Sequence, residues 1–139
     1  MSASAVSRGP LWKATLSLGV LALFRVTRHL PLSWLRAFGA LLGWLLHALV
    51  GRRRRIAEIN LGLCFPALDE SARRRLVRRH FVLFAQAWLD RGWLWEGSPA
   101  LVKKRLRLQG AVEELQNPAP SLLFAPHFVG MDAGWIALT

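Results

Sequence analysis

Two side chains near the end of the chain, His127 and Asp132, are of the types and at the spacing that acid–base chemistry uses. The residues between them, Phe128, Val129, Gly130 and Met131, carry no ionisable group. An apolar run at 122–125 suits a buried strand, Pro126 stops it, and 131–138 has room for a helix. His127 then stands at the carboxyl end of a strand, where open α/β sheets place their ligands. Across such a turn a carboxylate can fold back onto one imidazole nitrogen and leave the other free as a base. Such a pair supplies a base for a hydroxyl proton and an acid that holds the base in one tautomer. Gly130 lets the backbone approach a substrate closely and could expose N–H groups toward a developing oxyanion. Phe128 and Gly130 are therefore candidate substrate contacts. On spacing alone a plainer alternative stays open, a structural histidine followed by an aspartate that caps a helix.

The motifs upstream narrow the choice. Arg52, Arg53, Arg54 and Arg55 are followed by Ile56, Ala57, Glu58, Ile59, Asn60, Leu61, Gly62, Leu63, Cys64, Phe65 and Pro66. An arginine-rich segment then ends at His80 and Phe81. With the spacing His127-x-x-x-x-Asp132 and an apolar amino terminus, this order resembles the bacterial lipid A biosynthesis acyltransferases. These late lauroyl and myristoyl transferases belong to the wider glycerolipid-type acyltransferase superfamily, and the resemblance covers 11–139.

The resemblance implies an α/β, glycerolipid-acyltransferase-like fold with His127 as general base and Asp132 as its orienting acid. It implies transfer of a lauroyl-like group from acyl carrier protein to a hydroxyacyl chain of a Kdo-bearing lipid A precursor. The catalytic part would face the cytoplasm at the bacterial inner membrane, and no metal or organic cofactor is implied. Members of that family extend well beyond this length, so 51–139 is expected to be an incomplete, amino-terminal part of the acyltransferase domain. Two alternatives stand beside this one: another acceptor, such as a lysophospholipid or a glycolipid, or an inactive membrane-anchoring module.

The composition agrees with a lipid surface. Hydrophobic residues make up 53% of the 139, with seven tryptophans, seven phenylalanines and no tyrosine. Tryptophan favours sites with one wet edge, such as a bilayer interface. Nineteen Lys and Arg against eight Asp and Glu give a net charge of +11, which attracts anionic lipid, nucleic acid or acidic proteins. Nucleic acid leaves the apolar amino terminus unexplained, so membrane lipid is the expected partner. The single cysteine, Cys64, excludes an internal disulfide and offers no zinc spacing.

The elements that must position the pair follow in order. Residues 1–10 read as a disordered tail and 11–50 as membrane-anchoring helices. The first, 11–30, is expected to span the membrane if Arg25 and Arg28 snorkel, and Pro31 ends it. The second, 32–50, has Leu35, Phe38, Leu42, Leu45, Leu46 and Leu49 on one side. Arg36, Gly39, Ala40, Gly43 and His47 fall on the other, which suits a helix in the interface or packed closely on the first helix. Gly39 and Gly43 read as intramolecular packing in preference to a dimer face. Arg52 to Arg55 form the positively charged membrane flank.

A short helix at 56–63 and a turn at Phe65 and Pro66 lead to a long helix over 70–93, capped by Asp69. Leu76, Val77, His80, Phe81, Phe84, Ala87 and Trp88 are its expected buried stripe, and Arg74, Arg75, Arg78 and Arg79 its exposed face. A linker with interfacial tryptophans at 93–99, a strand at 105–109, a helix at 111–116 and a loop at 117–121 complete the start of a βαβ unit. Cys64 reads as a buried small apolar residue, and His29, His47 and His80 as core or interface histidines without metal spacing. Ser121 lacks the Gly-x-Ser-x-Gly elbow of a serine hydrolase.

Overall fold

The computed structural model describes residues 11–110, 112–116, 119, 120, 122, 124 and 129–138. Among them the chain forms α1 (Leu11–Thr27), α2 (Leu32–Leu49), α3 (Gly51–Cys64), α4 (Glu70–Glu96), α5 (Pro99–Arg105) and α6 (Met131–Leu138). A 3₁₀ turn at Val112–Gln116 stands where a short helix is expected. The expected disordered tail, 1–10, lies outside the described residues.

Helix α4 is the element the others pack on: it touches α1, α2, α3, α5 and α6. Its start is fixed locally. The Asp69 carboxylate accepts hydrogen bonds from the Ser71 hydroxyl at 2.7 Å and the Ala72 amide at 2.8 Å, so the expected cap forms. The hydroxyl first, then the amide, holds the Asp69 carboxyl below its ordinary value of 3.8. The buried side of α4 comprises Val77, Phe81, Ala85, Leu89, Gly92, Trp93 and Leu94. Only Val77 and Phe81 of the expected stripe are fully buried; Leu76, His80 and Phe84 are exposed, and Ala87 and Trp88 are half-buried. The helix also runs on to Glu96, because Trp93 and Leu94 belong to its inner face and not to a linker at the membrane surface.

The inner face is chosen by close approach. A Cβ on Gly39 of α2 would stand 2.9 Å from the Gln86 Cα, and one on Gly43 would stand 2.8 Å from the Phe81 carbonyl oxygen. The small stripe of α2 therefore packs within the chain, as expected, but on α4 and not on α1. Phe38, Leu41, Trp44, Leu45 and Leu49 are left on the outer side of α2. Helix α1 uses the same device in reverse: a Cβ on Gly92 would lie 2.7 Å from the Phe24 carbonyl oxygen. Thr27, buried at the same crossing, donates its hydroxyl to that carbonyl at 3.1 Å, so no polar group is left unpaired there.

Among the described residues, α2 is the helix long and apolar enough to cross a membrane. Its 18 residues reach about 27 Å. Helix α1, Leu11–Thr27, has 17 residues, one fewer than α2.

No strand occurs among the described residues. Where the strand at 105–109 is expected, Arg105 closes α5, and Leu106 is extended but in no ladder. Helix α5 starts in the expected linker because Ser98 accepts the Leu101 amide at 3.3 Å and Pro99 suits the first helical turn. Leu122 and Phe124, in the expected buried strand, are 98% and 84% exposed. A strand holds only when neighbours pair with it and cover it. The described residues are mostly helical, and the start of the expected α/β unit is not among them as a sheet.

Candidate functional site

Gly130 and Asp132 stand at the start of α6. Gly130 has φ +87°, a left-handed turn that favours glycine, although a Cβ there would meet nothing within 4 Å. Its role in this structure is to turn the chain; its carbonyl accepts the Ala133 amide at 2.9 Å and begins the helix. Ala133 and Ile136 then pack against the core of Leu35, Leu89, Trp93 and Leu94, which seats α6 on α4.

This seating brings Asp132 to Arg91. The Arg91 Nε donates to Asp132 Oδ2 at 2.8 Å, and each side chain is about one-third exposed, 35% and 36%. The Arg91 guanidinium also lies over the Trp95 ring, 5.4 Å from its centre. The preceding residue, Asp90, pairs with Arg36 of α2 and accepts the Trp93 indole N–H at 2.9 Å. Adjacent residues of α4 thus hold two different elements by charge. Beside Asp132 opens a cavity of about 350 Å³ lined by His80, Phe84, Trp88, Arg91, Gly130 and Met131, among others.

His127 and Phe128 lie outside the described residues. Of the remaining expected site residues, Gly130 and Asp132 border the cavity, while Arg52, Arg53, Arg54 and Arg55 sit elsewhere, near the start of α3. Arg54 is half-buried and donates to the His47 carbonyl at 2.6 Å, closing the carboxyl end of α2. Arg52, Arg53 and Arg55 are exposed. His80, expected in a core or interface, is exposed and faces two spaces. With Phe84 it borders both the cavity at Asp132 and a larger, mainly apolar groove of about 830 Å³ between α3 and α4. Cys64, the last residue of α3, is exposed on the wall of that groove rather than buried.

Arg91 is the residue that reading the sequence misses. The signal was present: Asp90 and Arg91 are the only ionisable residues other than His80 between Arg79 and Glu96, in the mainly apolar second half of the helix. Charges placed there need partners in space.

A helical scaffold with an apolar, basic amino-terminal half thus presents an acidic side chain, fixed by an arginine, at the rim of a greasy cavity. The comparisons with known proteins agree with the class this suggests. The family model for bacterial lipid A biosynthesis acyltransferases matches residues 8–139, and the chain belongs to that family. A lipid A biosynthesis acyltransferase of Haemophilus influenzae is 33% identical over 84% of this chain and 38% of its own length. A lipid A biosynthesis lauroyltransferase of Escherichia coli is 33% identical over 60% of this chain and 26% of its own. The palmitoleoyltransferase of the same pathway in E. coli is 27% identical over 88% of this chain and 40% of its own. The chain therefore spans two fifths or less of the relatives it matches. No solved structure matches it.

Proposed function

We propose that this chain supplies the membrane-facing, amino-terminal part of an acyltransferase that moves a fatty acyl group, lauroyl-like, from acyl carrier protein to lipid A. The acceptor is the hydroxyl of a hydroxyacyl chain on a Kdo-bearing lipid A precursor. The observation that carries this is the family match, which runs through both His127 and Asp132. His127 takes the acceptor hydroxyl proton, and the oxygen attacks the thioester carbonyl. The new C–O bond forms as the C–S bond breaks, and the imidazolium returns its proton to the leaving thiolate. Asp132 holds the imidazole in the required tautomer and stabilises its charged form.

Helices α1 and α2 keep this site at the leaflet where the acceptor lies. The outer side of α2, with Phe38, Leu41, Trp44 and Leu45, meets lipid, and Arg52, Arg53 and Arg55 face the anionic head groups of the inner membrane's cytoplasmic leaflet.

The full-length protein, given lauroyl–acyl carrier protein, tests this with two acceptors side by side. A Kdo-bearing lipid A precursor is acylated, and a lysophospholipid is not. Transfer to the lysophospholipid alone would move the protein to another branch of acyltransferases.

A further inference from the structure

We infer that the groove between α3 and α4 seats an acyl chain of an anionic bilayer phospholipid, with Arg53 and Arg79 holding its phosphate. This goes beyond the acyl transfer proposed above and needs neither His127 nor Asp132. It rests on α2 lying against the bilayer.

The groove is open and apolar, with a volume of about 830 Å³. Ile56 and Phe65 line it from α3 and its end, and Leu76, Leu83 and Phe84 from α4. Each of these five is more than one-third exposed. Large apolar side chains left together in water mark a surface that takes a partner with an apolar part. From Arg53 to Cys64 the α3 wall rises about 17 Å, room for an alkyl chain laid along it.

The charges select the head of that partner. Among the described residues no Asp or Glu lines the groove, whereas Arg53 and Arg79 do. Arg28, Arg36, Arg74 and Arg91 are paired with Glu96, Asp90, Glu70 and Asp132. Among the described residues, Arg53 and Arg79 are paired with no carboxylate. Guanidinium forks suit phosphate, so cations on an apolar groove match a phosphate that carries an alkyl tail. A second copy of the chain, with net charge +11, would set the same arginines against these.

Position selects the source. Leu46 and Val50, at the carboxyl end of α2, complete the lining. Helix α2 is long and apolar enough to cross a membrane, and Arg52 and Arg55, just beyond its end, are exposed. The groove therefore opens where α2 leaves the lipid, at the level of the head groups. Anionic phospholipids are the abundant anions there.

The test places the full-length protein in phosphatidylcholine nanodiscs. These carry a small fraction of either phosphatidylglycerol or phosphatidylcholine with a diazirine near the end of one acyl chain. Cross-linked peptides are read by mass spectrometry. Both probes label the outer side of α2 equally, whereas residues 56–65 and 76–84 take about tenfold more label from the phosphatidylglycerol probe. Arg79→Gln lowers that groove label about fivefold, the effect of one charge near an anionic head group, and leaves the α2 label unchanged. Ala57→Trp, which fills the groove, removes the groove label and keeps the α2 label. Thermal melting checks that both variants fold; if Ala57→Trp does not, the exposed change Arg79→Gln carries the test.

Equal groove labelling by the two probes, or label confined to α2, overturns the site while α2 keeps its place against the bilayer. Loss of the groove label on adding lauroyl–acyl carrier protein assigns the groove to the acyl donor and overturns the phospholipid. No label on α2 from either probe overturns the membrane placement and the site together.

Discussion

Gly43 on α2 lies so close to Phe81 on α4 that a side-chain carbon there would stand 2.8 Å from the Phe81 carbonyl oxygen. The obstacle is backbone, which cannot rotate out of the way as a side chain would. Gly43→Ala therefore forces the two helices apart and lowers stability by roughly 1–3 kcal/mol. Gly39→Ala costs less than Gly43→Ala, because one of its nearest neighbours is the flexible Gln86 side chain. Urea unfolding of the two variants in the same detergent checks the order.

Asp90 is the charged joint between α2 and α4. It receives Arg36 and the Trp93 indole, and it is the more buried partner of the ion pair, 15% exposed against 39% for Arg36. Asp90→Ala strands the Trp93 N–H and leaves Arg36 without its anion, a loss of about 1–3 kcal/mol. Arg36→Ala removes only one of the two contacts and costs less. Chemical denaturation followed by circular dichroism reads both.

Asp69 gives α4 a pH-dependent start. Its carboxyl is held below its ordinary value by the Ser71 hydroxyl and the Ala72 amide. A depressed folded-state value means that the ionised cap stabilises the helix above the ordinary carboxylate range. That contribution is lost as pH falls through the lower, folded-state value. Asp69→Ala is therefore less stable than the parent at pH 7, and the gap closes on acidification. Asp69→Asn keeps a capping side chain and flattens the pH dependence. Melting curves between pH 7 and about 2 compare the three.

The arginine run divides by role. Arg52, Arg53 and Arg55 are exposed, and each contributes about 1 kcal/mol of attraction to an anionic leaflet. Changing all three to Gln weakens binding to phosphatidylglycerol vesicles on the order of 100-fold, and added salt narrows the difference. Arg54→Gln acts otherwise: it frees the His47 carbonyl at the end of α2 and shows as a lower melting temperature. Vesicle sedimentation beside thermal melting separates the two effects.

Much of this could be read from the chain because the signals are local. Pro31 stands at the break before the second helix, Asp69 and Glu70 start the long helix, and Gly39 with Gly43 mark a close helix crossing. What could not be read depends on pairs far apart in sequence. Which side of α4 is buried is set by the glycines of α2, so His80 and Phe84 look like core residues until the partner helix is in place. Trp93 looks interfacial until Asp90 is seen accepting its N–H. Arg91 lies 41 residues before Asp132, and no periodicity links them. The strands expected at 105–109 and 122–125 depend on neighbours that pair with them, which no local pattern supplies.

The central claim is that His127, oriented by Asp132, is the base for acyl transfer to lipid A. Its most direct measure is the kcat of His127→Ala in the full-length protein, with lauroyl–acyl carrier protein and a Kdo-bearing lipid A precursor. A fall of about 10²-fold or more, with unchanged melting and unchanged vesicle binding, is the expected result. Turnover within about twofold of the unaltered protein would contradict it.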